Sequence, residues 1–181
     1  MSFKFIFSFF IGIFLTSIFF SFKPGESGTK GATSIKRMTM QEALNASKSK
    51  PKKIIVDIYT DWCGWCKKMD KDTYENTEII NYINTNYYPV KFNAERPGDI
   101  NFKNKVFKLP DAGGRTTHEF TQVLMRQGSG YPTTCFMDEE QTVLQSIPGY
   151  IDSKMMNMIV KYFGGNHYKN TEWNMYQSNF K

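Results

Sequence analysis

The chain is poor in cysteine and histidine, sparse in charge, and beyond its first two dozen residues has no long apolar run. Three cysteines among 181 residues are too few to staple a small secreted scaffold, where bridges substitute for a missing core. Two histidines offer little to a zinc centre, which needs about four ligands at suitable spacing. Charged residues make up 22%, with 23 Lys and Arg against 17 Asp and Glu, a formal +6. That surplus lacks the dense basic patterning of a nucleic-acid binder, so no nucleic-acid partner is expected. Mean hydropathy is −0.47 and hydrophobic residues are 40%, which excludes a polytopic membrane protein and a disordered or collagen-like chain. No internal repeat is visible. The length suits one domain with additions, hardly two.

What the chain has in excess is phenylalanine at one end, where nine of its sixteen precede residue 23. Residues 1–22 carry a single charge, Lys4, ahead of an apolar run from Phe5 to Phe20. A cationic start before such a run is the pattern of a secretory signal. The run exceeds the ~7–15 residues of a typical signal core, and no small-x-small cleavage site closes it. At ~1.5 Å per residue, about eighteen apolar residues nearly cross a ~30 Å hydrocarbon layer. Residues 1–22 are therefore a signal peptide or an N-terminal anchor acting through residues 5–22. Either way the remainder is expected to be periplasmic or otherwise exported. Residues 23–37, with Pro24 and three glycines, read as a linker.

From residue 38 the pattern is that of a folded α/β domain. Thr39-Met40-Gln41-Glu42 fits a capping box opening a helix to about Ser49. Ile54 to Tyr59 is a β-branched run without alternation, as in a strand buried on both faces. Helices are expected from Cys63 to about Lys71, from Glu78 to Asn86 and from Ser153 to Phe163. Tyr88 to Phe92 reads as a second strand, and Tyr131 to Met137 with Thr142 to Ile147 as an antiparallel hairpin. Between them, residues 95–128 form an insert. It holds a small hairpin about Asn104-Lys105 and a second capping-box candidate at Thr116 and Glu119. Its simplest role is to cover the edge of the sheet. The tail, residues 164–181, places Trp173, Tyr176 and Phe180 at helical spacing, suited to packing back on the domain.

The chemistry concentrates in Trp62-Cys63-Gly64-Trp65-Cys66-Lys67, directly after the buried strand. Residues three apart on a helix share a face, close enough for a disulfide with little backbone movement. Cys63 would sit at the helix N-terminus, where unpaired N–H groups and the dipole favour a thiolate. Cys66, one turn in, should be the more buried, resolving thiol. A structural staple is disfavoured because so short a loop removes little unfolded-state entropy. A metal site would have to recruit Cys135, His118 or His167, none of which has ligand spacing to another. Neither metal nor organic cofactor is expected. Cys135, inside a strand, is most simply a small buried hydrophobe. Tyr59, Trp62 and Trp65 could form an apolar rim for docking.

At this motif the sequence resembles the thioredoxin superfamily, over about residues 39–163. It is most similar to the periplasmic reducing branch that includes the C-terminal domain of DsbD. The run Asp57-Ile58-Tyr59-Thr60-Asp61-Trp62-Cys63, then Cys66-Lys67, Asp70 and Thr73-Tyr74, carries the likeness. It implies a thioredoxin-like mixed β-sheet flanked by helices, with the insert ahead of a cis-proline loop at Gly130-Tyr131-Pro132-Thr133. It also implies a buried acid at Asp57, exchanging a proton with Cys66, and a lysine partner at Lys91. Residue by residue there are alternatives: Asp57 as a strand-end acid in solvent, Lys91 as a solvated edge lysine, Pro132 as an ordinary trans proline. On this likeness the catalytic set is Cys63, Cys66, Asp57, Lys91 and Pro132. Trp62, Gly64, Trp65 and Tyr131 would then meet the substrate. Where thioredoxins proper have proline, this chain has Trp65, a position that influences redox poise.

The expected activity is thiol–disulfide exchange that reduces or isomerises disulfides in exported proteins, with electrons resupplied by a membrane donor. A disulfide-introducing oxidant and a non-catalytic peptide- or metal-binding module are the alternatives. A monomer is expected.

Overall fold

The computed structural model describes residues 32–96, 98–126 and 130–180. The signal or anchor assignment and residues 23–31 of the linker lie outside them. Among the described residues no helix is long and apolar enough to cross a membrane.

Helix α1, Met40–Ser49, starts at the expected capping box. The Thr39 N–H donates to Glu42 Oε2 at 2.7 Å, and the Glu42 N–H donates back to Thr39 Oγ1 at 3.3 Å. Strand β1, Lys53–Tyr59, follows, then α2, Gly64–Asp72, α3, Thr77–Asn86, and β2, Tyr87–Asn93. After the insert come β5, Thr133–Met137, β6, Val143–Pro148, and α5, Ser153–Gly164. The main sheet has the order β2-β1-β5-β6, with β1 parallel to β2 and antiparallel to β5. β1 is central, which is why its apolar run has no polar face.

Alternation along β1 divides the core in two. Ile54, Val56 and Ile58 face α1 and the insert. Ile55 faces Met69 of α2 together with α3 and α5. Asp57 shares the parity of Ile55, so it points toward the layer that carries α2. Across the parallel register Asp57 stands opposite Lys91, and across the antiparallel one opposite Thr134.

The insert departs from expectation in three ways. Its hairpin joins β3, Ile100–Phe102, to β4, Lys105–Phe107, and turns at Lys103-Asn104 rather than Asn104-Lys105. Both turn residues have positive φ, 48° and 63°, as a two-residue hairpin turn of matching twist requires. The second capping box does not form. Helix α4, Thr121–Leu124, has no side-chain cap, because the Glu119 carboxylate accepts the Lys108 N–H at 3.0 Å instead. The insert also lies over a face of the sheet, not its edge. Phe102 and Phe107 meet the fully buried Phe120 at ring-centre distances of 5.3 and 5.2 Å. These aromatics belong to the same core as Val56 and Phe92.

Residues 32–37 are docked rather than free to act as a tether. Two asparagines of α3 accept backbone N–H groups there, Asn81 Oδ1 from Ala32 and Asn84 Oδ1 from Lys36. Met38 pairs with Val90 beside β2. At the other end, α6, Trp173–Asn179, packs back as expected, with Trp173 and Tyr176 about 5 Å from the Tyr162 ring.

If the insert is core and not cover, Phe120→Ala should cost about 3–5 kcal/mol in urea unfolding. A cost below ~1 kcal/mol would return it to the role of an external flap.

Candidate active site

Cys63 and Cys66 form a disulfide. Cys63 is the N-cap of α2, and its Sγ accepts the Cys66 N–H at 3.1 Å. No acidic residue stands in the first turn of α2, so nothing there opposes negative charge on this sulfur. The same N–H is placed to stabilise a thiolate once the bond opens. The two cysteines are almost equally buried, 4% and 3% exposed. Burial in the disulfide form therefore does not separate an attacking from a resolving sulfur; position on the helix does. What protrudes is the flanking pair, Trp62 at 53% and Trp65 at 60% exposed.

The expected single rim of Tyr59, Trp62 and Trp65 is split. Trp62 meets the Tyr131 ring edge-on at 5.9 Å, Trp65 leans on Tyr150 at 5.6 Å, and Tyr59 lies under Lys91 Nζ. Trp62 precedes the N-cap of α2 whereas Trp65 lies in its first turn, so the helix axis does not set the two side chains on one face. Gly64 begins α2 in open space. The Tyr131-Pro132 bond is cis, and the Pro132 carbonyl accepts the Gly149 N–H at 2.8 Å.

Trp62 also has neighbours that no motif announced. Its Nε1 donates to Glu95 at 3.0 and 3.1 Å, and Arg115 from the insert stands 5.0 Å over its ring. Asp61, Trp62, Glu95, Arg96, Leu109 and Arg115 are among the residues lining an open cavity of about 550 Å³ at this end of the molecule. Glu95 could have been guessed from its place just after β2. Arg115, twenty residues on, gave no signal.

A second cluster is an ionic network gathered around one buried acid. Asp57, 4% exposed, has Oδ2 at 3.0 Å from Arg37 Nη1 and 3.3 Å from Lys91 Nζ. Asp70 on α2 bonds both cations in turn. Sequence alone pointed to Asp57 and Lys91; it missed Arg37, in the stretch read as linker. Burial raises the Asp57 carboxyl above the ordinary aspartate range; Arg37 and Lys91 pull against it and Asp70 adds to it. Tyr74, also buried, is raised by desolvation and stays neutral. Cys135 is fully buried, and burial pushes its thiol up to about 12 against a hydrogen bond with Ser146. It is not poised for exchange.

Since the native Asp57 holds its proton more tightly than the unfolded chain does, its stabilising contribution is complete below about pH 3.9 and is lost as pH rises through the native value. Urea unfolding should show the wild type losing stability relative to Asp57→Asn over that rise. Parallel curves for the two proteins would mean the carboxyl titrates as in the unfolded chain.

The thioredoxin-like domain family matches residues 40–164. Over 98 residues the chain is 28% identical to the thiol:disulfide interchange protein DsbD of Pseudoalteromonas atlantica, covering 54% of this chain and 16% of that protein. It is 30% identical over 74 residues to spermatogenesis-associated protein 20 of Rattus norvegicus, 41% of this chain and 9% of that one. The chain thus spans under a fifth of these curated relatives. Among solved structures, a thioredoxin-fold protein from Helicobacter pylori superposes with a TM-score of 0.54 at 16% identity, over 71% of this chain and 79% of that one. A putative disulphide-isomerase from Bacteroides thetaiotaomicron gives 0.52 at 20% identity, over 75% and 94%. At such identities these two likenesses speak for the fold alone.

Proposed function

This chain belongs to the thioredoxin-like domain family, and we propose that it is an exported thiol–disulfide oxidoreductase that reduces or isomerises disulfides in partner proteins. The observation that carries the reading is the Cys63–Cys66 pair at the N-terminus of α2, flanked by exposed tryptophans and the cis-proline loop. In the reduced protein the Cys63 thiolate attacks one sulfur of a partner disulfide. The partner's other sulfur leaves as a thiolate and takes a proton from water. Asp57 then accepts the Cys66 proton, and Cys66 attacks Cys63 Sγ, expelling the partner's second thiol. The partner gains two electrons and two protons, and the pair closes as the disulfide seen here. Exported proteins are the substrates, and a membrane electron donor returns the pair to the dithiol.

Lys91 pairs with Asp57, while Pro132 and Tyr131 present extended backbone to the substrate. Trp62, Gly64 and Trp65 supply the surrounding surface. The insert shapes partner choice through Leu109 and Arg115 beside Trp62. Excising it would remove Phe102, Phe107 and Phe120 from the core, so a point change is the cleaner probe. A cation–π contact contributes about 0.5–2 kcal/mol, so Arg115→Ser should alter turnover of protein disulfides several-fold and leave that of glutathione disulfide nearly constant. Equal effects on both would remove the insert from substrate choice.

The full-length chain should equilibrate with glutathione buffers at a potential nearer −270 than −120 mV. Cys63→Ser should lose disulfide reduction by at least about 100-fold, and Cys66→Ser should accumulate the mixed disulfide. A potential near −120 mV would reassign the protein as an oxidant. No exchange above that of free thiol would refute the reading altogether.

A further inference from the structure

Arg37 lies outside the motif and ahead of the first helix, yet it reaches the buried acid. Its Nη1 donates to Asp57 Oδ2 at 3.0 Å and its Nη2 to Asp70 Oδ1 at 3.3 Å. Its guanidinium carbon stands 4.7 Å from the centre of the Tyr74 ring, and the side chain is only 23% exposed. Lys91 Nζ approaches the same Asp57 oxygen at 3.3 Å and also bonds Asp70. Both cations therefore gather on Oδ2. Asp57 Oδ1 is buried with no hydrogen-bond partner among the described residues. A carboxylate oxygen left so is costly, and such an exception in a folded protein calls for a role.

We propose that Arg37 is a positioning residue for proton exchange at the redox pair: it clamps Asp57 by Oδ2 and leaves Oδ1 as the atom that receives and returns the Cys66 proton. The proposal deepens the oxidoreductase reading above and rests on it. In the resolving step the Cys66 S–H bond breaks and its proton passes to Asp57 Oδ1. The sulfur electron pair forms the bond to Cys63 Sγ, and the bond to the partner breaks with its electrons on the departing sulfur. The proton on Oδ1 is then released to that thiolate or to water, so charge and electrons balance.

The groups facing Asp57 come from every side. Arg37 arrives from the segment before α1, Lys91 from β2 and Asp70 from α2. Tyr74 follows α2, and its hydroxyl lies 3.5 Å from Thr134, the β5 residue opposite Asp57. Arg37 and Lys91 favour the ionised carboxyl, whereas Asp70 opposes it. Removing Arg37 and removing Asp70 must consequently act in opposite directions. A loss of packing alone would have no such sign.

The test uses the full-length chain and the variants Arg37→Gln, Arg37→Lys and Asp70→Asn. Carbon-13 NMR of the oxidised protein follows the Asp57 carboxyl, and the pH profile of mixed-disulfide resolution is measured with glutathione. Arg37→Gln should raise the carboxyl midpoint by about one pH unit or more, with the rate profile moving up alongside it. Arg37→Lys should restore most of the wild-type midpoint, and Asp70→Asn should lower it. An unmoved midpoint in Arg37→Gln overturns the proposal. Should that variant fail to fold, an unmoved midpoint in Asp70→Asn does the same. A shifted carboxyl with an unshifted rate profile overturns the proton-exchange role. An inactive wild type that still shows the carboxyl shifts would defeat the oxidoreductase reading while upholding the clamp.

Discussion

An acid in the middle of a central strand is the constraint around which the molecule is arranged. Asp57 sits between β2 and β5 with almost no exposure, and an ionisable group there needs partners brought to it. The sheet supplies Lys91, because parallel register sets it directly across. The helix that opens at Cys63 supplies Asp70, one turn beyond Cys66. The chain ahead of α1 supplies Arg37, and to do so residues 32–38 must lie along α3 and β2. One buried charge thus ties together three segments that are distant in sequence, and one of them begins at the disulfide.

How much of this was legible in the sequence follows from the range of the interactions. α1, α3 and α5 have side-chain caps at Thr39, Asn76 and Asp152 and helical apolar spacing, both of which are local. β1 was legible because both of its faces are buried, leaving an unbroken apolar run. The cysteine motif was legible because three-residue spacing on a helix is a geometric statement. Arg37 was not, since its meaning depends on a fold that brings residues 20 and 33 positions away to it. A lone arginine after glycine-rich sequence looks like solvated linker until the acid it serves is placed.

The insert shows the same limit from the other side. Its hairpin was anticipated, although one residue out of register, because Asn104 adopts the left-handed conformation that Lys103 must then share. Its capping box failed through competition, since Glu119 accepts instead from the Lys108 N–H, just beyond β4. Its role as one wall of the core could not be inferred from a few scattered phenylalanines. Only the arrangement of Phe102, Phe107 and Phe120 around each other makes them a layer. That layer also holds out Arg115 and Leu109 beside Trp62, so one segment contributes to stability and to the surface near the cysteines.

Cys135 has a consequence of another kind. With its sulfur sealed inside the sheet and its thiol held neutral by burial, the folded chain has one reactive pairing open to it and no competing bridge to shuffle. Oxidative damage at this third position requires the sheet to open first. The rate of oxidation at Cys135 would then be governed by how often the sheet opens, and hardly at all by how strong the oxidant is.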